Sequence, residues 1–350
     1  MKVLIVDDSA VFRTMLKIAC TQAGLEVTGA VGDGQQALQA ISDQNPDVVI
    51  LDLEMPVLTG IETLKGIKAK GFSCNVIVFA AQTTRGAATT IEALELGAVD
   101  VICKPNAETG SKGMEIVKEQ LIPKVQQFDP ANRPAEPAPV EKAREYNFKS
   151  KDFITCMPQA IVIASSTGGP VALEQFLNGI PKGFTIPIVI GQHMPPMFTK
   201  SLADRLGSLT GIPCAEAVDG APLEPGKITI APGDYHLELK KEKDVVVTRL
   251  DQRPKRNSIR PCVNYLFESA CEIYGRHLIG FVLTGMGEDG KDGSIAIKEA
   301  GGGIMIQDQA SCVVWGMPRS VYEVGAYDKI SDLDGCNKQL KLLLEKRMAV

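Results

Sequence analysis

Short runs rich in Val, Ile and Leu alternate with amphipathic stretches along almost the whole chain, and the rhythm breaks once, between Asp129 and Ser150. This alternation constrains the fold more than any other feature, because strands alternating with helices form parallel sheets covered on both faces. The break holds Pro130, Pro134, Pro137 and Pro139 among Ala and charged residues and cannot bury a core, so it reads as a linker between two such units. A length of 350 residues leads to the same expectation of two domains.

In the first unit, residues 2–8, 27–32, 47–53, 75–81 and 99–104 read as strands. Ser9 is placed to cap a helix whose apolar face carries Phe12, Met15, Leu16 and Ala19. In the second, residues 160–164, 186–191, 227–231, 277–284 and 303–307 read as strands, with helices over 171–177, 199–206, 263–273 and 294–300. Residues 237–250 form a hairpin around the charged stretch Lys240 to Asp244.

Composition narrows the function classes. No apolar run is long enough to span a bilayer, and the N-terminus runs straight into Val3–Val6 and two aspartates, so a soluble, cytoplasmic protein without membrane insertion is expected. Nine scattered cysteines, without C-x-x-C or Cys/His spacing, suit reduced thiols. A formal charge of −5 argues against nucleic acid as the main partner.

Chemistry-bearing residues fall at the C-terminal ends of predicted strands, where parallel sheets place their ligands. Asp7 and Asp8 after the first strand and Asp52 after the third can share one Mg²⁺. Asp52 then takes a phosphoryl group as an acyl phosphate, while Lys104 supplies a fixed positive charge to its oxygens. V-D-D-S at 6–9, L-D-L-E-M-P at 51–56 and K-P at 104–105 resemble a response-regulator receiver domain over residues 1–125. The resemblance implies phosphorylation of Asp52 by a histidine kinase, with the backbone carbonyl of Glu54 joining Asp8 and Asp52 on the metal. Ala80 and Val101 stand where that family usually has a hydroxyl residue and an aromatic, so phosphoryl acceptance is expected without the usual relay; Thr83 and Thr84 could substitute only in a differently shaped loop.

In the second unit a strand runs into Ser165-Ser166-Thr167-Gly168-Gly169-Pro170 and then a helix, a turn that can present a serine and free N–H groups to a carbonyl. His193 and Asp289 follow two other strands. Together they suit a nucleophile, a base and an orienting carboxylate. Of the other histidines, His277 lies at the wrong sheet edge, and His236 is a weaker candidate base. A competing reading comes from Gly285 to Gly290, which fits G-x-G-x-x-G with Asp308 after the next strand and suggests a dinucleotide-dependent oxidoreductase. Glu288 and Asp289 would then place carboxylates where pyrophosphate must sit.

A-S-S-T-G-G at 164–169, Q-H-M-P-P at 192–196, A-P-G-D-Y-H at 231–236, L-T-G-M-G-E-D-G at 283–290 and W-G-M-P-R at 315–319 resemble the CheB methylesterase family. The resemblance implies Ser166, rather than Ser165, as nucleophile, with His193 and Asp289, and Thr167 and Met286 shaping the oxyanion site. Cys262 and Asn264 depart from the family's common P-S-V-D. The expected fold class is α/β: a flavodoxin-like receiver (1–125), a linker (126–151) and a Rossmann-like esterase domain with a β-hairpin (152–347).

What the resemblance implies for function is hydrolysis of glutamyl γ-methyl esters on chemoreceptor helices, deamidation of glutamine by the same chemistry, no cofactor for the esterase, and a histidine kinase of the CheA type as phosphodonor. It also implies that the receiver restrains the esterase until Asp52 is phosphorylated. A non-catalytic phosphoryl sink is a further alternative.

Overall fold

The computed structural model describes residues 1–105, 112–129 and 157–348. Two compact units divide the chain, Met1–Pro137 and Ala138–Val350. From residue 130 the predicted linker lies outside the described residues, as do the first five residues of the predicted esterase domain.

The first unit contains β1 (Lys2–Val6), β2 (Glu26–Val31), β3 (Val48–Leu51), β4 (Asn75–Ala80) and β5 (Ala98–Cys103), with α1 (Ala10–Gln22), α2 (Gly34–Gln44), α3 (Gly60–Lys70), α4 (Thr84–Glu95) and α5 (Lys112–Gln126). All neighbouring strands pair in parallel in the order β2-β1-β3-β4-β5, which is flavodoxin-like. Ser9 caps α1, accepting the Phe12 N–H. Leu16 and Ala19 are buried as the helical spacing predicts, with Phe12 and Met15 against the same core. That core joins Val3, Ile5, Ile50 and Ile77 of the sheet to Val117 and Leu121 of α5.

The second unit contains β6 (Ala160–Ser165), β7 (Ile188–Gln192), β8 (Cys214–Glu216), β9 (Ile228–Ile230), β10 (His236–Glu242), β11 (Val245–Asp251), β12 (Leu278–Val282), β13 (Gly303–Gln307) and β14 (Lys329–Ser331). Its helices are α6 (Gly169–Leu177), α7 (Phe198–Thr210), α8 (Val263–Tyr274), α9 (Lys291–Glu299), α10 (Met317–Glu323) and α11 (Leu333–Met348). Seven strands form a parallel sheet in the order β14-β13-β12-β6-β7-β9-β8. The predicted hairpin is β10–β11, whose last pair, Glu242 and Val245, leaves Lys243 and Asp244 as the turn.

Order reverses on either side of β6: the chain moves outward through β7 and its neighbours, then returns to β12 on the other flank. Such a switch point opens a crevice at the strands' carboxyl ends. The strands flanking it, β6, β7 and β12, are buried along their whole length, which is why they read as continuous apolar runs.

Candidate functional site

In the first unit, Asp7 and Asp52 are buried and Asp8 is exposed at the carboxyl ends of β1 and β3. Lys104, just past β5, sets its ammonium 2.9 Å from Asp7 Oδ2 and 2.7 Å from Asp52 Oδ2. Its charge also lies 5.0 Å from the centre of the Phe12 ring, a favourable position over an aromatic face. Asp7 Oδ1 accepts the Ser9 N–H and Asp52 Oδ1 the Glu54 N–H. Arg13 Nη1 donates to the carbonyls of both Asp7 (2.7 Å) and Asp8 (2.8 Å), holding the end of β1.

One oxygen from each of Asp7, Asp8 and Asp52 lies within 4.8 Å of the others. Burial pushes the Asp52 carboxyl up to about 6, against the pull of Lys104 and with a further push from Asp7. Burial alone would lower Lys104, but its ion pairs with Asp52 and Asp7 raise it, so it stays charged. Three carboxylates thus converge beside one ammonium, an all-oxygen donor set of the kind a divalent cation takes. The donor set therefore fits Mg²⁺. Ala80 and Val101 are buried on β4 and β5. Thr83 is committed elsewhere: its hydroxyl accepts the Gly86 N–H as the cap of α4. The Thr84 side chain lies outside the described residues.

In the second unit, Ser165 and Gln192 are register partners at the ends of β6 and β7, so Ser166 and His193 are the next residues on adjacent strands. The His193 N–H donates to the Ser165 carbonyl at 3.1 Å, carrying the ladder one step further. His193 Nε2 lies 2.8 Å from Asp289 Oδ2. Among the described residues no hydrogen bond joins Ser166 Oγ to His193; such bonds often tighten only around bound substrate.

Asp289 is almost fully buried. Besides His193 it accepts the Val263 N–H (2.5 Å), the Asn264 N–H (3.1 Å), the Gly290 N–H (3.0 Å) and the Cys262 thiol (3.0 Å). Burial would raise its carboxyl, yet the hydrogen bonds from His193, Cys262 and Val263 hold it below the ordinary range. Two of those donors are the first N–H groups of α8, whose own cap position, Cys262, makes no side-chain capping bond. Asp289 thus serves as that cap from a distant loop. The Cys262 thiol is pushed up by burial and by Asp289, so it remains protonated and donates.

The nucleotide reading fails on the same geometry. Asp289 turns inward, and at the start of α9 the Gly290 and Gly293 N–H groups donate to Asn264 Oδ1 (3.1 and 2.9 Å). A pyrophosphate would need those donors. Lys291 pairs instead with Glu288.

Gly285 lies against Ser166: a Cβ there would fall 2.8 Å from Ser166 Cβ, so only glycine permits the approach. Its carbonyl accepts the Gly316 and Met317 N–H groups, which tie the W-G-M-P-R segment to this turn. Among the described residues the neighbouring Met286 N–H donates to no protein group. Thr167 is buried, and its carbonyl accepts the Thr284 hydroxyl.

Neither rival histidine reaches the site. Burial holds the His236 imidazole below its usual value; Nδ1 accepts the Cys262 N–H and Nε2 faces the Pro254 carbonyl. It is a neutral structural residue. His277 lies at the amino edge of β12 beside the Met157 carbonyl. Sequence reasoning missed three residues: Arg13, Asn264 as a cap for α9, and Gln192, whose side chain reaches Ser165, Ser166 and His193. Gln192 had a signal in its place in Q-H-M-P-P and Asn264 in its departure from P-S-V-D, but neither pointed to these contacts; Arg13 had none.

Residues 161–340 match the family model described as CheB methylesterase, and residues 3–112 that of the response regulator receiver domain. A protein-glutamate methylesterase/protein-glutamine glutaminase of Trichodesmium erythraeum is 43% identical, over 95% of this chain and 96% of its own. A protein of the same name from Thermotoga maritima is 42% identical, over 94% of each chain. The crystal structure of the Thermotoga maritima CheB methylesterase catalytic domain superposes with a TM-score of 0.52 at 44% identity, covering 53% of this chain and 98% of that one. With a receiver-type unit ahead of an esterase-type unit along nearly its whole length, the chain belongs to the CheB family of protein-glutamate methylesterases/protein-glutamine glutaminases.

Proposed function

We propose that Ser166 is the nucleophile, His193 its general base and acid, and Asp289 the orienting carboxylate, in hydrolysis of glutamyl γ-methyl esters on chemoreceptor cytoplasmic helices. The observation that carries this reading is the 2.8 Å contact of His193 Nε2 with Asp289, beside Ser166 on the adjacent strand. With Nε2–H turned to the carboxylate, Nδ1 is the nitrogen left to take the serine proton. This reverses the ring orientation of the usual Ser-His-Asp template while keeping its roles.

Ser166 Oγ attacks the ester carbonyl as its proton passes to His193. The oxyanion lies toward the N–H groups of Met286 and Thr167, and loss of one such donor costs about 3 kcal/mol of barrier stabilisation. Methoxide is a poor leaving group, so His193 returns the proton and methanol departs. A water deprotonated by His193 then cleaves the acyl-enzyme, releasing the glutamate side chain and restoring the serine. With glutamine as substrate, ammonia leaves in place of methanol. Methanol release from methylated receptor tests the assignment: Ser166→Ala abolishes it, and unchanged release would overturn the reading.

In the receiver, spanning 1–125 ahead of the linker (126–151) and catalytic domain (152–347), Asp52 accepts phosphoryl from a histidine kinase of the CheA type. Asp7, Asp8, Asp52 and the Glu54 carbonyl would hold Mg²⁺, which neutralises charge on the phosphoryl oxygens when bound. Lys104, already paired with Asp52, moves onto those oxygens. Phosphorylation raises esterase turnover by a route other than a hydroxyl and aromatic relay, given Ala80 and Val101. A small phosphodonor that modifies Asp52 without changing methanol release would reject this control.

A further inference from the structure

We propose that Gln192 is a positioning residue that sets the separation of the nucleophile and base loops. Ser166 and His193 are the points at which two paired strands diverge, and beyond the ladder their carbonyls have no strand partners. The Gln192 amide bridges the two: Nε2 donates to the Ser166 carbonyl at 3.0 Å, which also accepts the Gly169 N–H at 2.7 Å, and to the His193 carbonyl at 3.1 Å, while Oε1 accepts the Ser165 hydroxyl at 2.6 Å. Both amide hydrogens are therefore used, one on each catalytic backbone.

The group is rigidly placed. Gln192 is 1% exposed, and its Oε1 fills the space above Gly169, where an added Cβ would fall only 2.1 Å away. A buried amide with its donors satisfied by two fixed carbonyls has little freedom to move. Because alignment of nucleophile and base is steep in distance, a shift of about 1 Å can lower turnover by roughly 100-fold.

The inference rests on the proposed roles of Ser166 and His193, and the experiment separates the two. The full chain is treated with a fluorophosphonate, which phosphonylates a serine activated by a neighbouring base and releases fluoride; the labelling rate, kcat, KM and melting temperature are measured together. Gln192→Glu keeps the acceptor for Ser165 but replaces the donor end with a carboxylate oxygen. Its labelling rate and kcat are expected to fall together by at least about 10-fold, with KM nearly unchanged. Ser165→Ala removes only the third bond and is expected to stay within about threefold of wild type.

Gly169→Ala provides an arm that does not depend on the folding of Gln192→Glu. It leaves the amide's chemistry intact but places a methyl 2.1 Å from Oε1, so the amide must shift; the melting temperature falls modestly, and turnover measured well below it is expected to drop by at least about 10-fold with KM nearly unchanged. If Gly169→Ala, or a folded Gln192→Glu, labels and turns over within twofold of wild type, the positioning role is overturned. If the wild type is not labelled at Ser166, the nucleophile assignment itself fails.

Discussion

Asp289 and Asn264 each cap the helix that the other belongs to or precedes: Asp289 accepts the first N–H groups of α8, and Asn264, inside α8, accepts N–H groups at the start of α9. The proposed triad carboxylate is thus one half of a reciprocal brace between two helix N-termini, whose partial positive charge favours an anion there.

Asp289→Asn is expected to lower turnover by about 10³- to 10⁴-fold, since an amide cannot stabilise the imidazolium. It also costs about 2 kcal/mol of stability by weakening a buried, multiply bonded cap, measurable by denaturant unfolding.

The same carboxyl is held below its ordinary range when folded, so on acidification the unfolded chain binds the proton first. Its stabilisation is complete above the unfolded value of about 3.9 and is lost as pH falls through the lower folded value. Unfolding free energy should therefore drop more steeply below about pH 4 in wild type than in Asp289→Asn. Equal slopes would show that the folded carboxyl is not depressed.

His236 behaves in the same sense for a different reason. Burial disfavours its cation, so stability is full above about pH 6.5 and declines as pH falls through the depressed folded value. His236→Gln removes this loss, and urea unfolding of both proteins between about pH 7.5 and 5 checks it.

Asn264→Ala removes the cap of α9 and leaves the buried Gly293 N–H without its acceptor, while the Gly290 N–H keeps Asp289, at a cost of about 1–2 kcal/mol. Asn264→Asp restores the acceptor but places a second acid near Asp289, so it should recover less stability at neutral pH than at acid pH. Thermal melts at two pH values decide.

Mg²⁺ should stabilise the receiver, by about 2.7 kcal/mol at a concentration 100 times its dissociation constant. Asp8→Asn weakens the effect and a chelator reverses it. A melting temperature indifferent to Mg²⁺ would remove the metal from the acidic pocket.

The two sheets were legible because their central strands are covered on both faces and read as unbroken apolar runs. The two edge strands were not: β8 and β14 have three residues each and are partly exposed, too short for a period. α10 and α11 were likewise missed. At the site, strand-end placement and family motifs singled out Asp52, Ser166, His193 and Asp289 as candidates. The supporting contacts stayed hidden. Arg13, Gln192 and Asn264 act by bonding side chain to backbone across separations from 1 to 29 residues, which leaves no common spacing to read. Ring orientation is equally silent in sequence: nothing in the letters says that Nε2, not Nδ1, faces Asp289.

Every group assigned to the esterase chemistry leaves its sheet at one edge, so the opposite rim of that sheet carries none of it. The exposed Lys182–Gly183 turn ahead of β7 and Arg276, in the short 3₁₀ turn Gly275–His277 ahead of β12, lie there. Tethers, affinity handles or fluorophores attached at those turns would therefore sit a full strand length from the reacting groups, allowing turnover to be followed on a labelled enzyme.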